Sequence, residues 1–315
     1  METPTVVSRT RSHGCSITQY AFKSPALGNT RAVFSVIAPP APTGSSGGRP
    51  PLPALYWLSG LTCTDQNFIT KSGAAAHVAE VGGLLIVAPD TSPRGAGAPG
   101  EDDDWDFGTG AGWYLDATAP GFGAYQMQTY IVDELPDAVA AALAADNGAG
   151  GVGGGVALDR ARRSVMGHSM GGHGALMLAA RHPGMYAAVS AFAPVAHPTA
   201  CPWGVKAFSG YLGTSPDGDD SAPPASWIAY DATALMEART SPLLPGVEVR
   251  VDQGAADEFW AAGQLRGDEY VAACKRVGQA AVFHLHDGYD HSYHFIATFL
   301  GDHVKLHAAA LGVSK

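Results

Sequence analysis

Serine, histidine and carboxylate side chains together can turn a hydroxyl into a nucleophile toward a carbonyl carbon. This chain carries all three in an order that suits the task. Ser169 stands in Gly167-His168-Ser169-Met170-Gly171, a Gly-x-Ser-x-Gly pentapeptide. The pattern is common by chance, so its flanks decide. Arg163-Ser164-Val165-Met166 precedes it, short and partly apolar, and Ala175-Leu176-Met177-Leu178-Ala179-Ala180-Arg181-His182 follows it. The second run is rich in helix formers, and Pro183-Gly184 stops it. A strand therefore hands over to a helix at Ser169, and the flanking glycines permit a tight, strained turn. Such a nucleophile elbow lifts the hydroxyl clear of the strand, where it can attack an acyl carbon.

A serine hydroxyl needs a general base held in the right tautomer by a carboxylate. In folds built around this elbow, the acid and then the base follow the serine, each in a loop after a late strand. Twelve histidines are present. His168 and His173 are too close in sequence to swing back onto Ser169. His182 and His197 precede any suitable acid. His284 and His286 fall on the last strand or its end, and His303 and His307 on the terminal helix. His291, within Asp287-Gly288-Tyr289-Asp290-His291-Ser292, occupies the loop between that strand and that helix. It is the expected base.

The acid should follow the strand Val247 to Val251, where Asp252, Asp257 and Glu258 compete. Asp252 ends the strand directly and is expected to be held by local backbone bonds. Asp257 lies beyond Gly254, where the loop can turn toward His291, and is favoured on that ground with Asp252 left open. Asp290 points away from its neighbour His291, and Asp231 reads as structural. A developing oxyanion needs backbone N–H donors. The Met170 amide, directly after the nucleophile, is one. The loop Ser59-Gly60-Leu61-Thr62 supplies the other, and Gly60 lets the Leu61 amide turn inward.

These residues require a frame. Apolar, β-branched runs alternate with helical stretches, which predicts an α/β fold: a mainly parallel central sheet with crossover helices on both faces. Residues 15–22 and 31–38 read as an antiparallel opening hairpin. Leu55–Leu58 and Leu84–Ala88 read as buried strands, with a helix from Gly73 to Val81 between them. Residues 91–125 are irregular, yet Trp105, Phe107, Trp113 and Tyr114 argue for order. Tyr125 to Ala144 is helical in pattern. Ala187–Phe192, Val247–Val251 and Ala281–Leu285 are the later strands, and 294–310 is a closing helix. Residues 197–240 read as irregular. The Gly/Ala-rich stretch 146–155 and the stretch 215–226 read as surface insertions within a single domain spanning 1–315.

Composition narrows the partners. The chain has 315 residues, 46% of them apolar and 15% charged, as expected of a compact globular protein. Its formal net charge of −10 argues against nucleic acid and anionic membranes as partners. It also leaves an anionic ligand dependent on local cations. Cys15, Cys63, Cys201 and Cys274 form no CxxC pair and read as free thiols. With no apolar run behind Arg9 and Arg11 to make a signal peptide, and none of membrane-spanning length, the expected location is the cytoplasm. A homodimer is compatible with this reading, and no cofactor or metal is called for.

With these residues placed, the chain resembles the S-formylglutathione hydrolase (esterase D) family of α/β-hydrolases. The likeness is carried by segments 56–68, 88–95 and 105–112, the elbow, and segments 191–194, 201–204 and 208–213. Asp252-Gln253-Gly254 and Asp290-His291-Ser292-Tyr293 complete it. The resemblance spans about residues 13–312. It implies hydrolysis of a formyl thioester to glutathione and formate. It further implies Ser169 as nucleophile, His291 as base and Asp257, in place of Asp252, as acid. It also implies an active-site thiol at Cys63, linked to sensitivity toward thiol reagents. Trp105, Phe107 and Trp203 are expected to narrow a small acyl pocket. Lys71, Arg94 and Lys206 are the cations nearest the motifs. A general short-chain carboxylesterase with the same three residues is the alternative. An acyltransferase and a binding module on an inactive scaffold are further ones, the last disfavoured because all three residue types occur in order.

Overall fold

A computed structural model of the chain describes residues 2–40, 49–148, 155–214 and 222–313. Nine strands form one sheet: β1 (Thr5–Ser12), β2 (Cys15–Ser24), β3 (Thr30–Ala38), β4 (Leu52–Leu58), β5 (Leu85–Pro89), β6 (Leu158–His168), β7 (Val189–Phe192), β8 (Val249–Gly254) and β9 (Ala281–His286). Their order is β1-β2-β3-β5-β4-β6-β7-β8-β9. The first three strands pair antiparallel, and β3 also meets β5 antiparallel. From β5 to β9 every pairing is parallel. This is the α/β-hydrolase fold. β4, β5 and β7 are buried along their whole length, which is why they read as continuous apolar runs rather than alternating ones.

The helices are α1 (Asp65–Lys71), α2 (Ala74–Val81), α3 (Met127–Thr129), α4 (Leu135–Gly148), α5 (Met170–Arg181), α6 (Pro202–Leu212), α7 (Ala225–Ile228), α8 (Ala232–Glu237), α9 (Glu258–Ala261), α10 (Gly267–Arg276) and α11 (Tyr293–Ala310). α11 packs on α2, and α5 packs on α8, which in turn meets α10. Between α3 and α4 the chain makes a wider π turn at Tyr130–Glu134. Pro136 accounts for it, because proline has no N–H to give the carbonyl four residues back. That carbonyl, of Val132, instead accepts from Arg163 Nη1 at 3.2 Å. Among the described residues no helix is long and apolar enough to cross a membrane.

Several sequence expectations need correction. Residues 197–240 are not irregular throughout, since α6, α7 and α8 occupy much of the stretch. β1, α1, α9 and α10 have no counterpart in the sequence reading. β1 is exposed along almost all its length, so it lacks an apolar face to reveal it. The predicted insertions fall mostly outside the described residues, but 146–148 close α4 and 225–226 open α7.

Candidate active site

Four loops converge at the carboxyl end of the parallel strands, the edge where open α/β sheets place their chemistry. Ser169 lies between β6 and α5 with φ 57° and ψ −120°. A non-glycine residue held there is strained, and the surroundings must hold it. They do so through the backbone. Ser169 N–H donates to the Phe192 carbonyl at 2.9 Å, and the Ser169 carbonyl accepts from His173 and Val195 at 3.0 and 3.1 Å. The flanking glycines answer to close packing. A Cβ on Gly171 would overlap the Leu58 carbonyl, and one on Gly167 would overlap the Gly171 carbonyl.

The loop after β4 passes beside Ser169 so closely that a Cβ on Gly60 would sit 3.0 Å from the Ser169 Cβ. Side-chain hydroxyl and indole groups fix this loop. Trp57 Nε1 donates to Ser59 Oγ at 2.8 Å, and the Tyr114 hydroxyl donates to the Ser59 carbonyl at 2.8 Å. Thr62 is held at φ 67° while its N–H donates to the Gly110 carbonyl at 2.9 Å. Among the described residues neither the Leu61 nor the Met170 N–H has an acceptor. Met170 opens α5, where the first amides of a helix have no internal partner. Two unspent donors thus flank the serine, as an oxyanion site needs.

His291 and Asp257 come together. His291 Nδ1 lies 2.6 Å from Asp257 Oδ2. The side chain of Asp257 is fully engaged. Oδ1 accepts from the Phe259 and Trp260 amides at 2.9 and 3.3 Å, capping α9, and Oδ2 also accepts from Gln253 Nε2 at 3.1 Å. Two backbone bonds join the acid loop to the base loop: Ala255 N–H to the His286 carbonyl at 2.8 Å, and Ala256 N–H to the Tyr289 carbonyl at 2.9 Å. Gly254 is needed there because a Cβ would overlap the Tyr289 carbonyl.

The other acids are accounted for. Asp252 is held not by local backbone bonds, as expected, but by side chains. Arg250 donates to both its oxygens at 2.8 Å, and His286 Nε2 lies 3.1 Å away. Burial alone would raise its pKa, but the nearness of His303 and the hydrogen bonds from Arg250 prevail and hold it well below the usual range. Asp290 accepts from Ser292 N–H and Oγ at 3.0 and 2.6 Å. Asp231 caps α8 and holds Thr199.

Ser169 and His291 line one cavity of about 300 Å3. Cys63, Trp105 and Trp203 line it as well, whereas Phe107 does not. Phe107 stacks on Tyr211 at 4.6 Å and meets Phe122 edge-on, so it belongs to the packing beneath. Trp105 and Trp203 meet edge to face at 5.6 Å, Trp203 touches Phe259, and Phe259 stands against the His291 ring at 5.0 Å. An aromatic wall thus runs from the mouth of the cavity to the base. Burial pushes the Cys63 thiol pKa up, against weaker lowering by Tyr293 and Lys71, so the thiol stays protonated at neutral pH.

His168 is a close neighbour of His291 that sequence reasoning missed. Its ring lies 4.3 Å from that of His291, and burial, with the nearness of His291 as a lesser cause, lowers its pKa far below the usual value. A neutral His168 places no like charge against an imidazolium on His291. Phe259 and Tyr293 were missed too. The first lies outside the motifs. The second sits within one, yet nothing there tells which cavity it meets.

Comparison with known proteins identifies the family. The family model for esterases matches residues 24–306. The chain is 50% identical over 280 residues to S-formylglutathione hydrolase of Bos taurus and 47% identical over 279 residues to that of Rattus norvegicus. Each match covers 88% of both chains. The solved structure of an S-formylglutathione hydrolase from Agrobacterium tumefaciens superposes with a TM-score of 0.81 at 36% identity, covering 98% of this chain and 99% of that one.

Proposed function

On the premise that the chain belongs to the S-formylglutathione hydrolase family, we propose that Ser169, His291 and Asp257 carry out its thioester hydrolysis. The substrate is S-formylglutathione, and the products are glutathione and formate. Ser169 Oγ attacks the formyl carbon while His291 Nε2 takes the hydroxyl proton. Asp257 holds the opposite ring nitrogen and stabilises the imidazolium. The Leu61 and Met170 amides receive the oxyanion. The carbon–sulfur bond then breaks, and the glutathione sulfur leaves with the proton from His291. Water attacks the formyl ester, its proton passes to His291 and on to Ser169 Oγ as the ester bond breaks, and formate departs. Each step draws on the chain's own residues.

The observation that carries this reading is the 2.6 Å contact between His291 and Asp257, on the same cavity as Ser169 and beside two amides without acceptors. The esterase match supports a side activity on simple short-chain esters. The test measures kcat/KM on S-formylglutathione and on p-nitrophenyl acetate, in wild type and Ser169→Ala. Wild type should prefer the thioester, and Ser169→Ala should lose both activities. A preference for the oxygen ester would favour a general carboxylesterase, and an active Ser169→Ala would remove the mechanism.

A further inference from the structure

The cavity beside Ser169 has a mixed lining. Its lining includes apolar Trp105, Trp203 and Phe259 and polar Thr62, Asn67, Lys71 and Ser292. Among the described residues no Asp or Glu lines it. Three cations lie near the motifs, and the structure treats them differently. Arg94 is consumed: Nε and Nη2 donate to the two oxygens of Asp90 at 2.7 and 2.8 Å, and Nη2 reaches the Cys63 carbonyl at 3.2 Å. Lys206 is consumed by Asp104 at 2.9 Å and Asp106 at 2.5 Å, a clamp on the segment that presents Trp105. Lys71 ends α1 at the cavity's edge, and among the described residues no carboxylate lies within ion-pair distance of it. Its Nζ rests over the Tyr293 ring, 5.7 Å from the centroid. Such a contact positions an ammonium without neutralising it.

We propose that Lys71 binds the glycyl carboxylate of the glutathione moiety and sets the preference of this site for a glutathione thioester over a neutral one. This deepens the thioester reading above and rests on it. Glutathione offers two carboxylates. That of the γ-glutamyl end adjoins its own ammonium, and a site for it would pair a cation with a carboxylate. Among the described residues the cavity lining offers no carboxylate. The glycyl carboxylate is bare and suits a single unspent cation. On a chain of net charge −10, that cation is also what admits an anionic substrate against the overall field. Because Lys71 is exposed, solvent weakens the pair, and the expected discrimination is about fivefold.

The experiment is a cycle. kcat/KM is measured for S-formylglutathione and for its glycinamide analogue, which lacks only that carboxylate charge, with wild type, Lys71→Gln and Lys71→Arg. Wild type should favour the acid over the amide by about fivefold, chiefly through KM, and Lys71→Gln should treat the two alike. Lys71→Arg should restore the preference, and 0.5 M salt should shrink it in wild type. A wild type indifferent to the amide, or a Lys71→Gln enzyme that discriminates as wild type does, overturns the assignment while leaving the thioester reading intact. An equal loss on both substrates with discrimination preserved marks a structural role and also overturns it. If p-nitrophenyl acetate is hydrolysed and neither thioester is, the thioester reading fails and this assignment falls with it.

Discussion

Two clusters of serine, histidine and aspartate lie along neighbouring strands of this sheet; one lines a cavity and the other is closed off from solvent. The first is Ser169, His291 and Asp257. The second is Ser190 on β7, His303 on α11 and Asp252 on β8, with His307 beside them. Ser190 Oγ lies 2.7 Å from His303 Nδ1 and 2.8 Å from His307 Nε2, and His303 Nε2 is 3.5 Å from Asp252 Oδ2. All four residues of the second cluster are fully buried. Its serine sits on a parallel strand, with its hydroxyl bound to two imidazoles. The first serine is lifted onto a left-handed turn beside two amides that have no acceptor among the described residues. The residue types are shared but the hydrogen bonds are not: the first cluster bonds its histidine to its aspartate, and the second bonds its serine to its histidines. What separates the clusters is strain, access and a place for an oxyanion.

The contrast can be broken most directly at the serines. Ser169→Ala should lower kcat by a factor on the order of 10^6, the scale of losing a serine nucleophile. Ser190→Ala should keep kcat within a few-fold of wild type and instead cost about 1–3 kcal/mol of stability, because both imidazoles lose a buried partner. Steady-state kinetics beside urea melts separate the two, and a folded but inactive Ser190→Ala would end the distinction.

The aspartates give the next largest effect. Asp257→Asn should reduce kcat by a factor on the order of 10^3 to 10^4 through loss of the tautomer that accepts the serine proton. Asp252→Asn should show its effect in unfolding, at about 3–5 kcal/mol, since Arg250 would be left without its buried partner. Were Asp252→Asn the slower enzyme at equal fold, the acid would have been assigned to the wrong loop.

A third contrast is in pH. Burial lowers the pKa of His307 from 6.5 to about 3, with His303 as a lesser cause. The unfolded chain therefore binds a proton that the folded chain refuses between those values. The stability tied to a neutral His307 is complete above about pH 6.5 and declines by about 1.4 kcal/mol per unit as the pH falls toward 3. Unfolding midpoints between pH 7 and 4 should fall less steeply in His307→Gln than in wild type. An unchanged slope would refute the link.

The smallest effect sharpens the comparison. Gln253 is fully buried and joins the clusters, for it follows Asp252 in β8 and donates to Asp257 Oδ2. Gln253→Ala should lower kcat about fivefold with KM little changed, because the acid loses one of the groups that orient it. A loss in KM alone would place Gln253 elsewhere in the chemistry.

Much of this was readable before any fold was known. The elbow, the β2–β3 hairpin and the closing helix follow from glycine placement and apolar periodicity, which act over a few residues. α6, α8 and α10 escaped notice. α6 and α8 lie in a stretch whose composition reads as loop, and α10 lies between two strands with a stronger apolar signal. Ser169 and His291 could be picked out by position in the order of elements. Asp257 and Asp252 could not be separated by spacing, and only the family resemblance chose between them. Nothing local showed that Arg94 and Lys206 are tied to carboxylates, or that Phe107 turns into the packing.

The sequence by itself determined the turn. Gly167 and Gly171 flank Ser169, and both are required by backbone that passes within contact distance. Tertiary structure decided the company Ser169 keeps. His291 and Asp257 are 34 residues apart, and two backbone bonds between their loops bring them within 2.6 Å. The same packing sealed Ser190, His303 and Asp252 away from solvent and left Lys71 without a carboxylate partner among the described residues. Periodicity and turn chemistry are properties of neighbours in the chain. Burial, ion pairing and access to a cavity depend on contacts between distant segments, and those exist only once the sheet has assembled.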